Sequence, residues 1–225
     1  MACKHIFLSL TLAFSACTTP QTAKHKNKQH TQWLKQNGLV EATPSDIAKA
    51  KTEEVTLKNG VAISSDGSLR VVFIMGDRVP LKGDYQTEYH SKSHYRLEDV
   101  RTGKCMAKVV STICRQYAEF GFEQRIWISP SDQRVLIYES WADGCSPHDT
   151  TALITPSEVP DSWKVQYLNL PSNSQPDILE HEATPQGFSG DTLLLNPNTS
   201  NNIYKIRIKG IKIIKDWTCL LYTSD

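Results

Sequence analysis

Three stretches of the sequence gather side chains able to do chemistry. His90 and His94 in "HSKSH" stand four residues apart. On a helix that offset puts both imidazoles on one face, as in a zinc site. The stretch is rich in Ser and Lys, has no acidic neighbour and shows no helical pattern, so it reads as a surface loop. "ADGCSPHDT" gathers Asp143, Cys145, His148 and Asp149. These could seed a metal site, or a Cys–His pair in which an imidazolium activates the thiolate. No third ligand or orienting group accompanies them. The plainer reading is a turn between strands that carries a disulfide cysteine. "LEHEA" sets Glu180, His181 and Glu182 together, a pattern commoner in solvated runs than in sites.

"QGFSGD" resembles the "G-x-S-G" around the nucleophile of serine proteases. The His-bearing motif of that family is missing, and Ser189 is better explained as the turn before Leu193-Leu194-Leu195. The residues present therefore give no catalytic assignment, and no cofactor or metal is expected. Enzymatic activity stays open, with the balance against it. Lys plus Arg number 25 and Asp plus Glu 24, so there is no basic footprint for nucleic acid. No glycine-rich phosphate loop occurs. Trp127 and Trp163 fall inside apolar strand patterns, which makes them core residues rather than stacking platforms for sugars.

These groups must be held by strands. "GVAISSDGSLRVVFIMGD", "YRLEDVRTGK", "RIWISPSDQRVLIYES", "TTALITP", "WKVQYLNL", "GFSGDTLLLN" and "NIYKIRIKGIKII" are short and rich in Val, Ile, Leu and Tyr. Clusters of Ser, Asp, Gly and Pro separate them, which is the pattern of an all-β domain. One short helix precedes it over 43–56. Thr43 can cap it, Pro44 suits its first position and Asp46 stands where a capping-box acid would.

Three segments also match one another. Ile63–Phe73, Ile128–Tyr138 and Phe188–Leu195 each run a Ser/Asp/Gly turn into an apolar strand. Later strands follow at 95–104, 165–170 and 203–208. The series resembles the blade repeats of Tol-associated and prolyl-oligopeptidase-type β-propellers. The resemblance implies an all-β antiparallel meander, propeller-like and incomplete over 57–218, with a β-sandwich as the alternative.

The N-terminus has its own pattern. Lys4 and His5 precede an apolar run from Ile6 to Ala16. That run is too short to span a bilayer, which takes about 20 residues. It fits a secretory signal over 1–16. Phe14-Ser15-Ala16-Cys17 resembles the lipobox of bacterial lipoproteins. The resemblance implies acylation of Cys17 and a membrane anchor in the cell envelope, on the outer membrane in a Gram-negative cell because Thr18 is not Asp. Residues 17–42 then read as a solvated tether. Lys24, Lys26 and Lys28 are few for holding lipid or peptidoglycan, while Trp33, Leu34 and Leu39 could pack the tether onto the domain.

The last seven residues, Cys219–Asp225, resemble the translated end of a transposase-made sequencing library. The expectation is a frame cut near Trp217, with 219–225 as a non-native tail. Without Cys3, Cys17 and Cys219, three cysteines remain for an exported, disulfide-permissive compartment: Cys105, Cys114 and Cys145. Cys105 and Cys114 are close enough in sequence to staple a hairpin, and Cys145 could pair with either. The functional expectation is an envelope-anchored binding or scaffold module with a protein or glycan partner. The alternatives are the propeller part of a hydrolase, and a structural or metal-binding lipoprotein.

Overall fold

In the structure, a computed structural model, the described residues are 20–50, 52–76, 78–80, 89–91, 93–111, 123–143, 146–160, 162–171, 183–197 and 202–214. The elements in chain order are α1 (Pro20–Gln36), β1 (Val40–Glu41), α2 (Pro44–Lys49), β2 (Glu53–Val55), β3 (Val61–Ile63) and β4 (Leu69–Ile74). Then come β5 (Arg78–Pro80), β6 (Tyr89–Ser91), β7 (His94–Asp99), β8 (Cys105–Val110), β9 (Glu123–Ser129) and β10 (Arg134–Asp143). The last six are β11 (Ser146–Pro156), β12 (Trp163–Asn169), β13 (Thr184–Ser189), β14 (Thr192–Asn196), β15 (Tyr204–Arg207) and β16 (Lys212–Ile214). Helix α1 belongs to a unit that ends at Asn37, and all the strands belong to a unit that starts at Gly38.

The domain is all-β and antiparallel, as the turn-and-strand pattern implies. Its strands form three main sheets, with orders β3-β4-β7-β8, β2-β9-β10-β11-β12-β16 and β13-β14-β15-β1, plus the hairpin β5-β6. Most of each sheet is a run of strands successive along the chain, while β1, β2 and β16 come from elsewhere in the sequence to complete its edges. Three main sheets among the described residues are one more than the two packed layers of a sandwich. The three segments that match in sequence are the opening hairpins β3–β4, β9–β10 and β13–β14. One correction follows. Residues 165–170 run through β12, the fourth strand of the middle sheet counted from β9, whereas 95–104 and 203–208 run through β7 and β15, the third strands counted from β3 and β13. The third strand counted from β9 is β11.

The first and middle sheets bury a common core. Ala62, Val71, Leu97 and Val109 face Ile126, Ile128, Val135, Ile137 and Ile154 across it. The third sheet covers the opposite face of the middle one. A side-chain carbon on Gly187 of β13 would stand 3.9 Å from the Trp127 ring, and the Arg134 guanidinium donates to the carbonyl of Gly190 at 2.9 Å. A sheet covered on both faces should bury consecutive residues rather than alternate ones. Residues 126–129, 135–139 and 150–154 are all buried, while β8 alternates between exposed and covered positions.

The segment before these sheets departs from expectation in two ways. The helix expected over 43–56 is α2 alone, with its capping box as read: the Asp46 amide donates to Thr43 Oγ1 at 3.2 Å, and the Thr43 amide donates to Asp46 Oδ2 at 2.8 Å. Residues 53–55 are strand, because they pair with the otherwise open edge of β9. Residues 17–42, read as a tether with no regular element, contain α1 and β1. Ten of the 17 helix residues are Gln, Lys, Ala or Leu, which favour helix without any apolar stripe, and its one Pro stands at its first position, where it is tolerated.

Residues 40–63 give one strand to each sheet. β1 pairs with β15, β2 with β9, and β3 with β4. Side chains fasten this strap. Lys205 Nζ lies 2.7 Å from Asp46 Oδ2, the Phe188 amide donates to Thr52 Oγ1 at 3.0 Å, and the Ser65 amide donates to Glu53 at 3.0 Å.

Candidate functional site

Antiparallel meanders place alternate connections at opposite ends. At one end lie the turns at 64–68, 100–104, 130–133, 157–162 and 190–191. At the other, β4, β8, β10, β12 and β14 end and β7, β9, β11, β13 and β15 begin, and the stretches of sequence joining them, 75–93, 111–122, 144–145, 170–183 and 197–203, are mostly longer. The first will be called the turn end and the second the loop end.

The turn end is stitched by local polar contacts. Ser64 Oγ donates to Asp66 at 2.6 Å and accepts from the Leu69 amide at 3.0 Å, and Gly67 takes a φ of 70°. Asp99 accepts from both the amide and the hydroxyl of Thr102 at 2.7 Å, ahead of Gly103 at φ 68°. These bonds hold the Asp66 and Asp99 carboxyls below the usual range: the Ser64 hydroxyl leads for Asp66 and the Thr102 hydroxyl for Asp99. Two clefts open here, of about 450 and 420 Å³. Their charged side chains are partly spent on the turns themselves, with Arg134 on Gly190 and Asp99 on Thr102.

Along the strands the buried faces change from apolar to polar. On the face of the middle sheet that meets the first sheet, the row nearest the turn end is Ile128, Val135, Ile154 and Val165. The next is Ile126, Ile137, Ala152 and Tyr167, and the next Gln124, Glu139 and Thr150. The opposing sheet changes in step, from Ala62, Val71, Leu97 and Ala107 through Phe73, Tyr95 and Val109 to Ser93 and Ser111. On the other face of the middle sheet, Trp127, Leu136 and Leu153 give way to Arg125, Tyr138 and Thr151, then to Glu123, Ser140 and Asp149.

The polar rows meet between the sheets. Glu139, 2 % exposed, accepts from Tyr95 and Ser111 hydroxyls, both at 2.6 Å on one carboxylate oxygen. Gln124 bonds the same tyrosine hydroxyl. On the other face the Tyr138 hydroxyl donates to Asp149 at 3.0 Å. A tyrosine–carboxylate pair therefore lies on each side of the middle sheet, just under the loop end. Burial, then the charge of Glu139, raises the Tyr95 phenol well above its ordinary range. Burial, then Asp149, does the same for Tyr138. Both phenols stay protonated at neutral pH and act as donors, not nucleophiles. Thr151 Oγ1 is buried with no partner among the described residues. Arg125 stacks 4.9 Å over Trp127 and makes a two-pronged pair with Glu54 at 2.8 and 2.9 Å.

Five of the residues singled out in the sequence, His90, His94, Asp143, His148 and Asp149, fall at this loop end. His90 lies in β6 and His94 opens β7, so the two stand in separate strands, not on a helix face or in a loop. Asp143 and His148 lie in the hairpin β10–β11, which pairs Asp143 with Ser146 and Trp141 with His148, and Asp149 follows in β11. Asp143, His148 and Asp149 are therefore strand residues, and 144–145, between the two strands, lie outside the described residues. Ser189 ends β13 opposite Thr192, across the turn 190–191, as its reading as a turn residue implies. Trp127 is buried and Trp163 packs on the core. Cys105 is an exposed free thiol at the turn end. Cys17, Cys114, Cys145, Glu180, His181, Glu182 and 219–225 lie outside the described residues. Among the described residues no three His, Cys, Asp or Glu side chains converge to hold a metal.

The sequence reading missed Tyr95, Ser111, Gln124 and Glu139. Glu139 was findable: in "RVLIYES" it takes the same face as Val135 and Ile137, which puts an acid on a core face.

No protein family, no curated protein and no solved structure matches this chain.

Proposed function

We propose that this chain is a lipid-anchored envelope protein whose β domain binds a protein or glycan partner through its loop end. The observation that carries the reading is the polarity gradient along the strands. Buried polar rows cost free energy that an apolar core would not. Between the first and middle sheets the polar rows stand at the end that bears the longer connections, where binding residues collect on a rigid scaffold; the buried polar groups near the turn end are Glu98, paired with Arg70 and Arg96, and the turn serines Ser64 and Ser129. The pairs Tyr95–Glu139 and Tyr138–Asp149 fix that scaffold. The lipobox-like Phe14–Cys17 supports the anchor, since several acyl chains hold a protein stably where one does not.

Two measurements test this. A photo-crosslinking residue placed at Glu123, at the loop end, should give an adduct in the native envelope. The same probe at Gln133, at the turn end, should not. An adduct from Gln133 alone would reverse the assignment. Mass spectrometry of the mature N-terminus should find acylated Cys17, and an unmodified N-terminus beginning elsewhere would remove the anchor.

A further inference from the structure

The near-neutral total charge hides a segregation. The first 40 residues hold Lys4, Lys24, Lys26, Lys28 and Lys35 and no acidic residue, leaving 20 of the 25 Lys and Arg against all 24 Asp and Glu. Four of those lysines lie in α1, which therefore carries four positive charges and no acid. Helical register sharpens the distribution. At 3.6 residues per turn, positions 24, 28 and 35 fall on one stripe. Lys28 and Lys35 are exposed. His30 and Trp33 stack on each other at 6.1 Å between ring centroids, on the face roughly opposite. Like charges four residues apart repel on an isolated helix, and α1 has no acid to relieve them. A surface of negative charge would relieve them and hold the helix.

We propose that α1 is an electrostatic docking helix whose stripe of Lys24, Lys28 and Lys35 binds the headgroups of an anionic lipid surface. As an extended tether, three lysines are spread along a solvated chain. As a helix, positions 24, 28 and 35 share one stripe, and the sign of the segment is opposite to that of the remaining chain. The inference does not require acylation of Cys17. It describes a second contact, weaker than an acyl anchor and sensitive to salt.

The test uses the processed polypeptide from residue 17 with Cys17→Ser, so that no lipid is attached. It is floated with vesicles of phosphatidylcholine alone or with phosphatidylglycerol added. Binding is expected only to the anionic vesicles, with loss at about 1 M salt, where the screening length is about 3 Å. Lys24→Gln/Lys28→Gln/Lys35→Gln keeps helix propensity and should lower partitioning about a hundredfold, at about fivefold per lysine. Trp33→Ala should leave partitioning unchanged. Absence of binding to anionic vesicles overturns the proposal. So does equal binding to phosphatidylcholine, an unchanged triple variant, or retention by a soluble polyanion such as heparin with none by vesicles. Acylation of Cys17 is read separately by mass spectrometry, so failure of the anchor and failure of the helix are distinguishable.

Discussion

The two ends of the strand stack solve the same problem in opposite ways. At the turn end the backbone reverses within a few residues, the turn's own Ser, Asp and Thr side chains satisfy it, and Ile128, Val135 and Ile154 form a dry layer beneath. At the loop end the connections lengthen, and the layer beneath is Gln124, Glu139, Thr150, Ser93 and Ser111. Twist and pairing do not require this difference, because both ends close the same strands. Burying a carboxylate and two hydroxyls in place of aliphatic carbon weakens the stack unless the end serves something else. The comparison separates what holds the fold from what the fold holds.

The largest effect that can break the comparison is a truncation at each end. Ile154→Ala removes a fully buried side chain from the dry layer and should cost about 2–5 kcal/mol. Tyr95→Phe removes one donor from Glu139 and should cost about 1–3 kcal/mol. Urea titrations should show the first midpoint falling further, with both slopes unchanged. The adduct from a probe at Glu123 should drop in Tyr95→Phe and, per folded molecule, stay level in Ile154→Ala. A larger stability loss in Tyr95→Phe, or equal adduct loss in both, would make the polar layer ordinary core.

A smaller effect sharpens the turn end. Gly67 and Gln133 hold equivalent positions in the turns that open the first two sheets, at φ 70° and 52°. No atom lies within 4 Å of a side-chain carbon built on Gly67, so Gly67→Ala tests backbone conformation alone and should cost about 1–2 kcal/mol. Gln133→Gly should gain about 0.5–1 kcal/mol, since relief of the left-handed penalty exceeds the added chain entropy. Thermal melting resolves both signs. A loss in Gln133→Gly would show that its side chain does more than occupy a turn.

The same contrast explains what was readable in advance. Turn-end chemistry is local: Ser64-Ser65-Asp66-Gly67-Ser68 and Asp99–Lys104 specify reversals within one window, so the strands they join were visible. Capping of α2 by Thr43 and Asp46 was visible for the same reason. β1 and β2 were not, because two- and three-residue strands exist only through their partners β15 and β9. β8, "CMAKVV", lay between a turn and a segment without clear pattern. α1 carries no apolar periodicity, so a polar helix of this kind leaves no pattern of that sort in the sequence. The polar rows depend on register across four strands. Gln124, Glu139 and Thr150 stand side by side only once β9, β10 and β11 are aligned. Topology brings His90, His94, Asp143, His148 and Asp149 to one end, which no local pattern announces, and His90 and His94 occupy different strands rather than one surface loop.

The smallest expected effect concerns the strap, which belongs to neither end and is fastened by exposed polar contacts. Asp46 receives the Lys205 ammonium at 2.7 Å and the Thr43 hydroxyl and amide at 2.7 and 2.8 Å. These contacts, Lys205 foremost, hold its carboxyl well below the usual range. A carboxyl whose folded value is depressed stabilises the fold above its unfolded value of about 3.9. That contribution is lost as pH falls through the folded value. The difference in urea midpoint between the wild-type chain and Asp46→Asn should therefore be constant above about pH 5 and shrink as the solution is acidified below about pH 4. Asp66 and Asp99 titrate in both proteins and cancel from the difference. Lys205→Met should lower the neutral-pH midpoint, and adding Asp46→Asn to it should change the midpoint less than Asp46→Asn does in the wild-type chain. If the difference between wild type and Asp46→Asn persists undiminished at about pH 1, the carboxylate charge is not what fastens α2 to β15, and the capping bonds alone hold the strap in place.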